Sequence, residues 1–184
     1  MSGQTIEQGM EQVTEQAQRE TGVQPVEQAG PFFCDIRVQT ADFDLSRDVA
    51  RLREGDARIG AVVAFVGTVR DLNDGARVAE LELEHYPGMT EKSLQDIVAQ
   101  ARARWPLYGA QVIHRVGPLA PLDQIVLVAC SAAHRGEAFA ACEFIMDYLK
   151  TDAPFWKKEQ TPEGARWVDA RVTDDKAKAR WEGR

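Results

Sequence analysis

Lys150 and Lys157 bracket the segment Thr151-Asp152-Ala153-Pro154-Phe155-Trp156, where the proline forces a helix to stop and the chain to turn. A lysine in the last turn of a helix is ordinarily a solvated side chain that complements the helix dipole. Lys150, however, follows Phe139, Glu143 and Met146 along a side flank of the preceding segment, and Lys157 falls between Phe155 and Glu159 on one face of an expected strand. Ammonium groups held close together in a partly apolar pocket favour loss of a proton from one of them, which is one route to a lysine acid, base or nucleophile.

A second candidate is Ser131-Ala132-Ala133-His134-Arg135-Gly136, where an apolar strand passes into a helix. Backbone N–H groups at a helix start attract an anion, and an adjacent guanidinium forks onto phosphate or carboxylate oxygens. A plain helix start with a solvated arginine has the same sequence, and no glycine-rich phosphate loop is present. Arg70 closes the apolar run that ends in Gly67-Thr68-Val69-Arg70, placing a cation where it reaches either a cleft or water. His85, His114 and His134 have no mutual ligand spacing, and His114, between Val112 and Val116, suits a hydrogen-bonded, half-buried role; no metal is expected. Phe155, Trp156 and Trp167 are expected to pack a hairpin rather than stack on a heterocycle.

The elements that must hold these groups follow from periodicity. The body starts near Phe32, and Leu45–Arg53 forms a short helix with Asp44 or Ser46 near its start and a break at Gly55. Ile59–Val66 is an unbroken, β-branched run that predicts a strand buried on both faces. After the turn-forming Asn73-Asp74-Gly75, residues Val78–Tyr86 alternate Leu81, Leu83 and His85 with Glu80, Glu82 and Glu84, a half-exposed strand expected to lie antiparallel to the first. Thr90 is expected to cap a helix carrying Leu94, Ile97, Val98, Ala101 and Trp105 on one stripe, ended by Pro106. Two strands, Gln111–Val116 and Gln124–Ala132, are joined by a loop from Gly117-Pro118 to Pro121. A helix from Gly136 to Lys150 buries Ala138, Ala141, Cys142, Ile145 and Leu149, and Phe155–Gln160 and Arg166–Arg171 flank the hairpin turn Thr161-Pro162-Glu163-Gly164. The irregular mixture predicts an α+β fold with mainly antiparallel sheets and a C-terminal hairpin.

The length of 184 residues suits one domain, expected over 31–172, between an extension at 1–30 and a tail at 173–184. The extension is rich in Gln, Glu, Thr and Gly and is expected to be mobile, because it has too little apolar surface to offset the entropy of ordering. With 44% hydrophobic and 28% charged residues and no long apolar span, the chain is expected to stay out of membranes. No secretory signal stands at the start, and Cys34, Cys130 and Cys142 are odd in number and widely spaced, so a cytoplasmic, reducing location is expected. A net charge of −7 argues against a general nucleic-acid binder. These residues fit three activities: charge and proton work by lysines on an anionic substrate, a Schiff-base lysine acting on a phosphorylated carbonyl compound, and binding of a phosphorylated ligand without turnover.

At these same positions the chain resembles the molybdopterin synthase large-subunit family. The matching strings are Phe65-Val66-Gly67-Thr68-Val69-Arg70, Leu83-Glu84-His85-Tyr86-Pro87-Gly88-Met89-Thr90-Glu91-Lys92, Ala103-Arg104-Trp105-Pro106, Val112-Ile113-His114-Arg115-Val116-Gly117, Ser131-Ala132-Ala133-His134-Arg135, and Phe144-Ile145-Met146-Asp147-Tyr148-Leu149-Lys150-Thr151-Asp152-Ala153-Pro154-Phe155-Trp156-Lys157-Lys158-Glu159. Together with Thr161–Gly164 and Arg166–Val168 they run in family order over roughly residues 33 to 171. The resemblance implies an α/β-hammerhead-like fold and a homodimer of large subunits. Each copy would bind a small ubiquitin-like sulfur carrier, giving a heterotetramer. It also implies transfer of sulfur from the thiocarboxylated C-terminal glycine of the carrier to cyclic pyranopterin monophosphate. Carried over position by position, it makes Lys150 and Lys157 catalytic, and Thr68, Val69, Arg70, His134, Arg135, Lys150, Lys157, Lys158 and Glu159 substrate-binding. No cofactor is implied, since the metal enters only after the dithiol exists.

Overall fold

The computed structural model describes residues 31–73, 76–77, 80–161, 164–168 and 177–181. The expectations for the 1–30 extension, the Asp74-Gly75 turn, the Pro162-Glu163 turn, strand residues beyond 168 and the Trp167 side chain lie outside the described parts.

Among the described residues the elements follow in the order β1 (Phe33–Gln39), α1 (Leu45–Arg51), β2 (Ala61–Thr68), β3 (Leu72–Asn73), β4 (Ala76–Arg77), β5 (Glu80–His85), α2 (Met89–Arg104), β6 (Leu107–Arg115), β7 (Gly117–Leu119), β8 (Gln124–Ala132), α3 (Arg135–Asp152), β9 (Phe155–Thr161) and β10 (Gly164–Val168). One four-stranded sheet runs β1-β6-β8-β2, a second runs β10-β9-β5-β7, and β3-β4 pair alone. Only β1 and β6 pair in parallel; the other described pairs are antiparallel, and β9 and β10 form the expected hairpin.

The first sheet is covered on both faces because its central strands are apolar at nearly every position. Ala110, Val112, Val128, Cys130 and Ala132 meet α2 and α3, which contribute Leu94, Ile97, Val98, Phe144, Ile145 and Leu149. Ile113, Leu127 and Ala129 point the other way, onto Phe43 and Leu52 around α1. Between α1 and β1 the buried Asp48 carboxylate takes a 2.5 Å bond from Arg37, and Asp35 is bridged by Arg51 at 2.7 Å and Gln111 at 2.9 Å. A carboxylate so removed from water is tolerated only with such partners.

Five expectations change. The run predicted to be buried on both faces forms β2 at the sheet edge, where Ala64 and Phe65 are exposed; β6 and β8 hold the doubly buried places. β5 does not pair with β2. It lies in the second sheet between β7 and β9, with Leu81 and Leu83 inward, and its Glu80 and Glu84 face remains in water. The loop from Gly117 contains β7, and β6 begins directly after Pro106. Thr90 is not a cap: Gly88, at φ 84, caps α2, and its N–H donates to Glu91 Oε2 at 2.6 Å while Thr90 sits two residues on, within the first turn and fully buried.

Other readings hold. Asp44 caps α1 by accepting from the Arg47 N–H, and α3 ends at Asp152 with Ala153 extended before Pro154. Ala177–Trp181, part of the expected tail, pack on the body: Trp181 is 6% exposed and belongs to the α2–α3 core.

Candidate functional site

α3 runs back over β8, and the Cys142 thiol reaching the Val128 carbonyl at 3.5 Å sets mid-helix over mid-strand. The far end of α3, with exposed Lys150, therefore lies toward the start of β8. Antiparallel pairing puts Thr68 opposite Gln124, so the end of β2 lies at that same end of the sheet. There Val69 is buried with Leu81, Leu83 and Leu119. Its N–H donates to the Asp123 carbonyl and its own carbonyl accepts from Leu122, both at 2.9 Å. Leu122 adopts φ 77 to do so, a left-handed conformation costing a branched residue on the order of 1–2 kcal/mol. Val69 is thus an anchor that leaves Thr68 and Arg70 exposed on either side.

After the turn at 152–154, β9 presents its lysines to opposite faces. Lys157 stands opposite Leu83, on the inward face of the second sheet, and is half-buried. Lys158 stands opposite Glu82 on the outer face, with 3.8 Å between ammonium and carboxylate. Glu159 follows in register with Leu81, its side chain outside the described part. The structure thus brings Thr68, Val69, Arg70, Lys150 and Lys157 to one end of the molecule and turns Lys158 away from Lys157.

His134 and Arg135 are at the other end. His134 is the extended N-cap residue of α3 and Arg135 its first helical residue, both exposed. Fifteen helical positions separate Arg135 from Lys150, about 22 Å of axis at the standard rise. Within one chain these groups do not form one compact pocket. The strand-to-helix junction is tightly built: a Cβ on Gly60 would stand 2.2 Å from the Ala133 carbonyl oxygen, so only glycine fits where β2 is entered. The first turn of α3 also carries Glu137, whose negative charge an incoming anion must share with the Arg135 and helix-start donors.

Several contacts around the turn at 152–155 differ from what the sequence led one to expect. The Thr90 hydroxyl accepts from the Tyr86 N–H at 3.2 Å and shares its proton between the carbonyls of Tyr86, at 3.1 Å, and Pro154, at 3.2 Å. Ser93 donates to the Asp152 carbonyl at 3.1 Å. His114 is more buried than expected, 5% exposed, and its ring stacks on Phe155 at 3.7 Å between centroids. Its Nδ1 lies 2.8 Å from the Arg115 carbonyl, so that nitrogen carries the proton.

Burial lowers the His114 pKa from 6.5 to about 4; the bond to the Arg115 carbonyl opposes this and nearby His85 adds to it. The unfolded chain takes up this proton near 6.5 and the folded chain only near 4, so the fold is destabilised as pH falls between them. The change amounts to roughly 3 kcal/mol from this residue. Denaturant melts of wild type and His114→Phe, which keeps a ring against Phe155, should differ in slope over that window. Parallel pH dependences would remove His114 as the cause.

The sequence profile of the family described as MoaE protein matches residues 38–152. The molybdopterin synthase catalytic subunit of Ralstonia nicotianae is 70% identical over 146 residues, covering 79% of this chain and 83% of that protein. The chain belongs to the MoaE protein family. The Pseudomonas aeruginosa molybdopterin synthase catalytic subunit is 56% identical over 147 residues, covering 80% and 98% of the two chains. Among solved structures, the molybdopterin biosynthesis MoaE protein of Burkholderia ambifaria superposes with TM-score 0.70 at 63% identity, covering 81% of this chain and 98% of that one. A Staphylococcus aureus molybdopterin synthase chain gives 0.67 at 32% identity over 72% and 95%. Family membership thus agrees with the α+β, mainly antiparallel architecture. No described helix is long and apolar enough to cross a membrane.

Proposed function

We propose that this chain, with 31–172 as its catalytic domain, is the catalytic subunit of a molybdopterin synthase. It would move sulfur from the thiocarboxylated C-terminus of a small carrier subunit onto cyclic pyranopterin monophosphate, in molybdenum cofactor biosynthesis. The observation that carries this reading is the 70% identity over 146 residues to a relative named for that activity. The three free cysteines agree with a reducing, cytoplasmic setting.

The gathered end of the molecule suits the chemistry. A thiocarboxylate and the charge that develops on its carbonyl as sulfur leaves need fixed cations in a site that excludes water. Lys157, half-buried beside Leu83, and Lys150, at the end of a packed helix, meet that need and can relay protons as sulfur adds to the pterin and as one admitted water then cleaves the acyl–sulfur bond, leaving sulfur on the pterin and releasing the carrier as a carboxylate. Thr68 and Arg70 flank the same end with donors, Val69 holds them, and Lys158 and Glu159 extend the binding surface along β9. His134 and Arg135 bind the phosphate. Because about 22 Å of α3 separates them from Lys150 in one chain, the homodimer supplies the complementary end from its second copy.

The deciding experiment is mass spectrometry of the product after mixing the chain, thiocarboxylated carrier and cyclic pyranopterin monophosphate. A dithiolene-bearing pterin is expected, and absence of any sulfur-containing product would refute the reading. Arg135→Ala is expected to weaken precursor binding by about 1.5–3 kcal/mol, the scale of a charge-assisted hydrogen bond, with carrier affinity unchanged. Titration calorimetry with each partner checks this. Loss of carrier affinity with precursor affinity intact would move Arg135 to the protein interface.

A further inference from the structure

The string His85–Lys92 has no part in the chemistry proposed above, yet it closes around the turn that joins the two lysines. Three contacts converge on residues 152–155. The Thr90 hydroxyl reaches the Pro154 carbonyl at 3.2 Å, Ser93 reaches the Asp152 carbonyl at 3.1 Å, and His85 stands opposite Phe155 in the β5–β9 ladder. Phe155 is held from its other side by the stacked His114 ring, and its N–H turns back to Ala153 at 2.8 Å. The Asp152 and Pro154 carbonyls of the turn are thus held by side-chain donors from outside it.

Thr90 is the centre of this arrangement. It is 0% exposed, and its one hydroxyl ties the end of β5, through both backbone groups of Tyr86, to the carbonyl just before β9. A buried polar group of this kind is retained only when satisfied, and removing it leaves the Pro154 carbonyl without that donor. Helix propensity gives no reason for a β-branched hydroxyl residue in the first turn of α2, where Gly88 already provides the cap.

We propose that Thr90, assisted by Ser93, is a positioning residue that sets the spacing and direction of Lys157 relative to Lys150. This rests on the synthase reading of the site. Displacement of a reacting group by about 1 Å can cost on the order of a hundredfold in rate, so a lost clamp registers in turnover before it registers in binding.

The test is single-turnover product formation by the full chain with saturating thiocarboxylated carrier and cyclic pyranopterin monophosphate. It is paired with peptide-resolved amine labelling of Lys150 and Lys157 across pH. Thr90→Val, which keeps the shape and removes the hydroxyl, should lower the rate about tenfold or more with both binding affinities within about twofold, and should shift the pH profile of Lys157 labelling. Thr90→Ser should restore the rate and the profile. Ser93→Ala, at a half-buried position, should lower the rate by about threefold. Wild-type rates in Thr90→Val, or a Thr90→Ser variant as slow as Thr90→Val, would overturn the proposal; if Thr90→Val does not fold, a wild-type rate in Ser93→Ala overturns it alone. A wild-type chain that forms no sulfur-containing product refutes the synthase reading instead, which keeps the two failures distinct.

Discussion

Replacing Lys150 by alanine should slow single-turnover product formation by about a hundredfold or more while leaving the fold intact, a loss of transition-state stabilisation near 2.7 kcal/mol. The expectation follows from where Lys150 sits. It is exposed at the end of a helix whose opposite stripe is fully packed, so alanine removes no core contact and suits a helical turn. If the side chain did no more than complement the helix dipole, its loss would cost only about 0.3–1 kcal/mol of stability and nothing in rate. A cation placed to meet charge on the thiocarboxylate carbonyl, or to pass a proton there, contributes only when that charge develops, so its removal appears in the rate. Lys150→Arg separates the two roles. Arginine keeps the charge but does not release a proton near neutral pH, so electrostatic stabilisation predicts partial recovery and proton transfer predicts none. Product formation is read with saturating carrier and precursor. A Lys150→Ala rate equal to wild type would end the catalytic assignment.

Much of the scaffold behind that site is legible in the sequence because it is written in local periodicity. The α3 stripe, its stop before Pro154, the Asp44 cap and the β9–β10 hairpin each depend on residues within a few positions of one another. What local pattern does not encode is pairing at a distance. The apolar run at β2 has the composition of a central strand, but edge or centre is decided by which strands join later, and β6 and β8 have the stronger claim. β5 could not share that sheet without burying its Glu80 and Glu84 row, so it serves in an outer sheet where one face meets water. The same limit applies at the site. Lys150, Lys157 and Arg70 were visible as cations at element ends, whereas Thr90 looked like a cap because its bond to Pro154 spans 64 positions. The separation of Arg135 from Lys150 was implicit in the predicted helix length, since about 1.5 Å per residue already places them at opposite ends.

Truncating Trp181 to alanine should destabilise the chain by about 3 kcal/mol, at the lower end of the range for buried aromatic-to-alanine changes. The side chain lies against Trp105 and Phe144 in edge-on contacts at 5.7 and 5.5 Å, and its indole N–H donates to Asp147 at 2.7 Å. Its neighbours bind α3 by charge: Arg180 reaches Glu143 and Asp147, both at 2.7 Å, and Lys178 reaches Asp152 at 2.6 Å. Those ion pairs are partly exposed and contribute little each, so the indole carries most of the docking energy. The cost stays near the lower end because a segment loosened from the body regains some backbone entropy, offsetting part of the lost burial. For a chain of this size the melting temperature should fall by about 6–12 °C. Trp181→Phe keeps most of the packing and loses the donor, so it should cost about 1 kcal/mol, and Arg180→Ala no more than that. The anchored face of α3 includes Asp147 and Asp152, which stand on either side of Lys150 in the last turns. Hydrogen exchange in Trp181→Ala should therefore quicken first at the C-terminal turns of α3 rather than across the first sheet. A melting temperature within 2 °C of wild type, or faster exchange spread evenly through the domain, would show that this segment does not hold the lysine-bearing end of the helix.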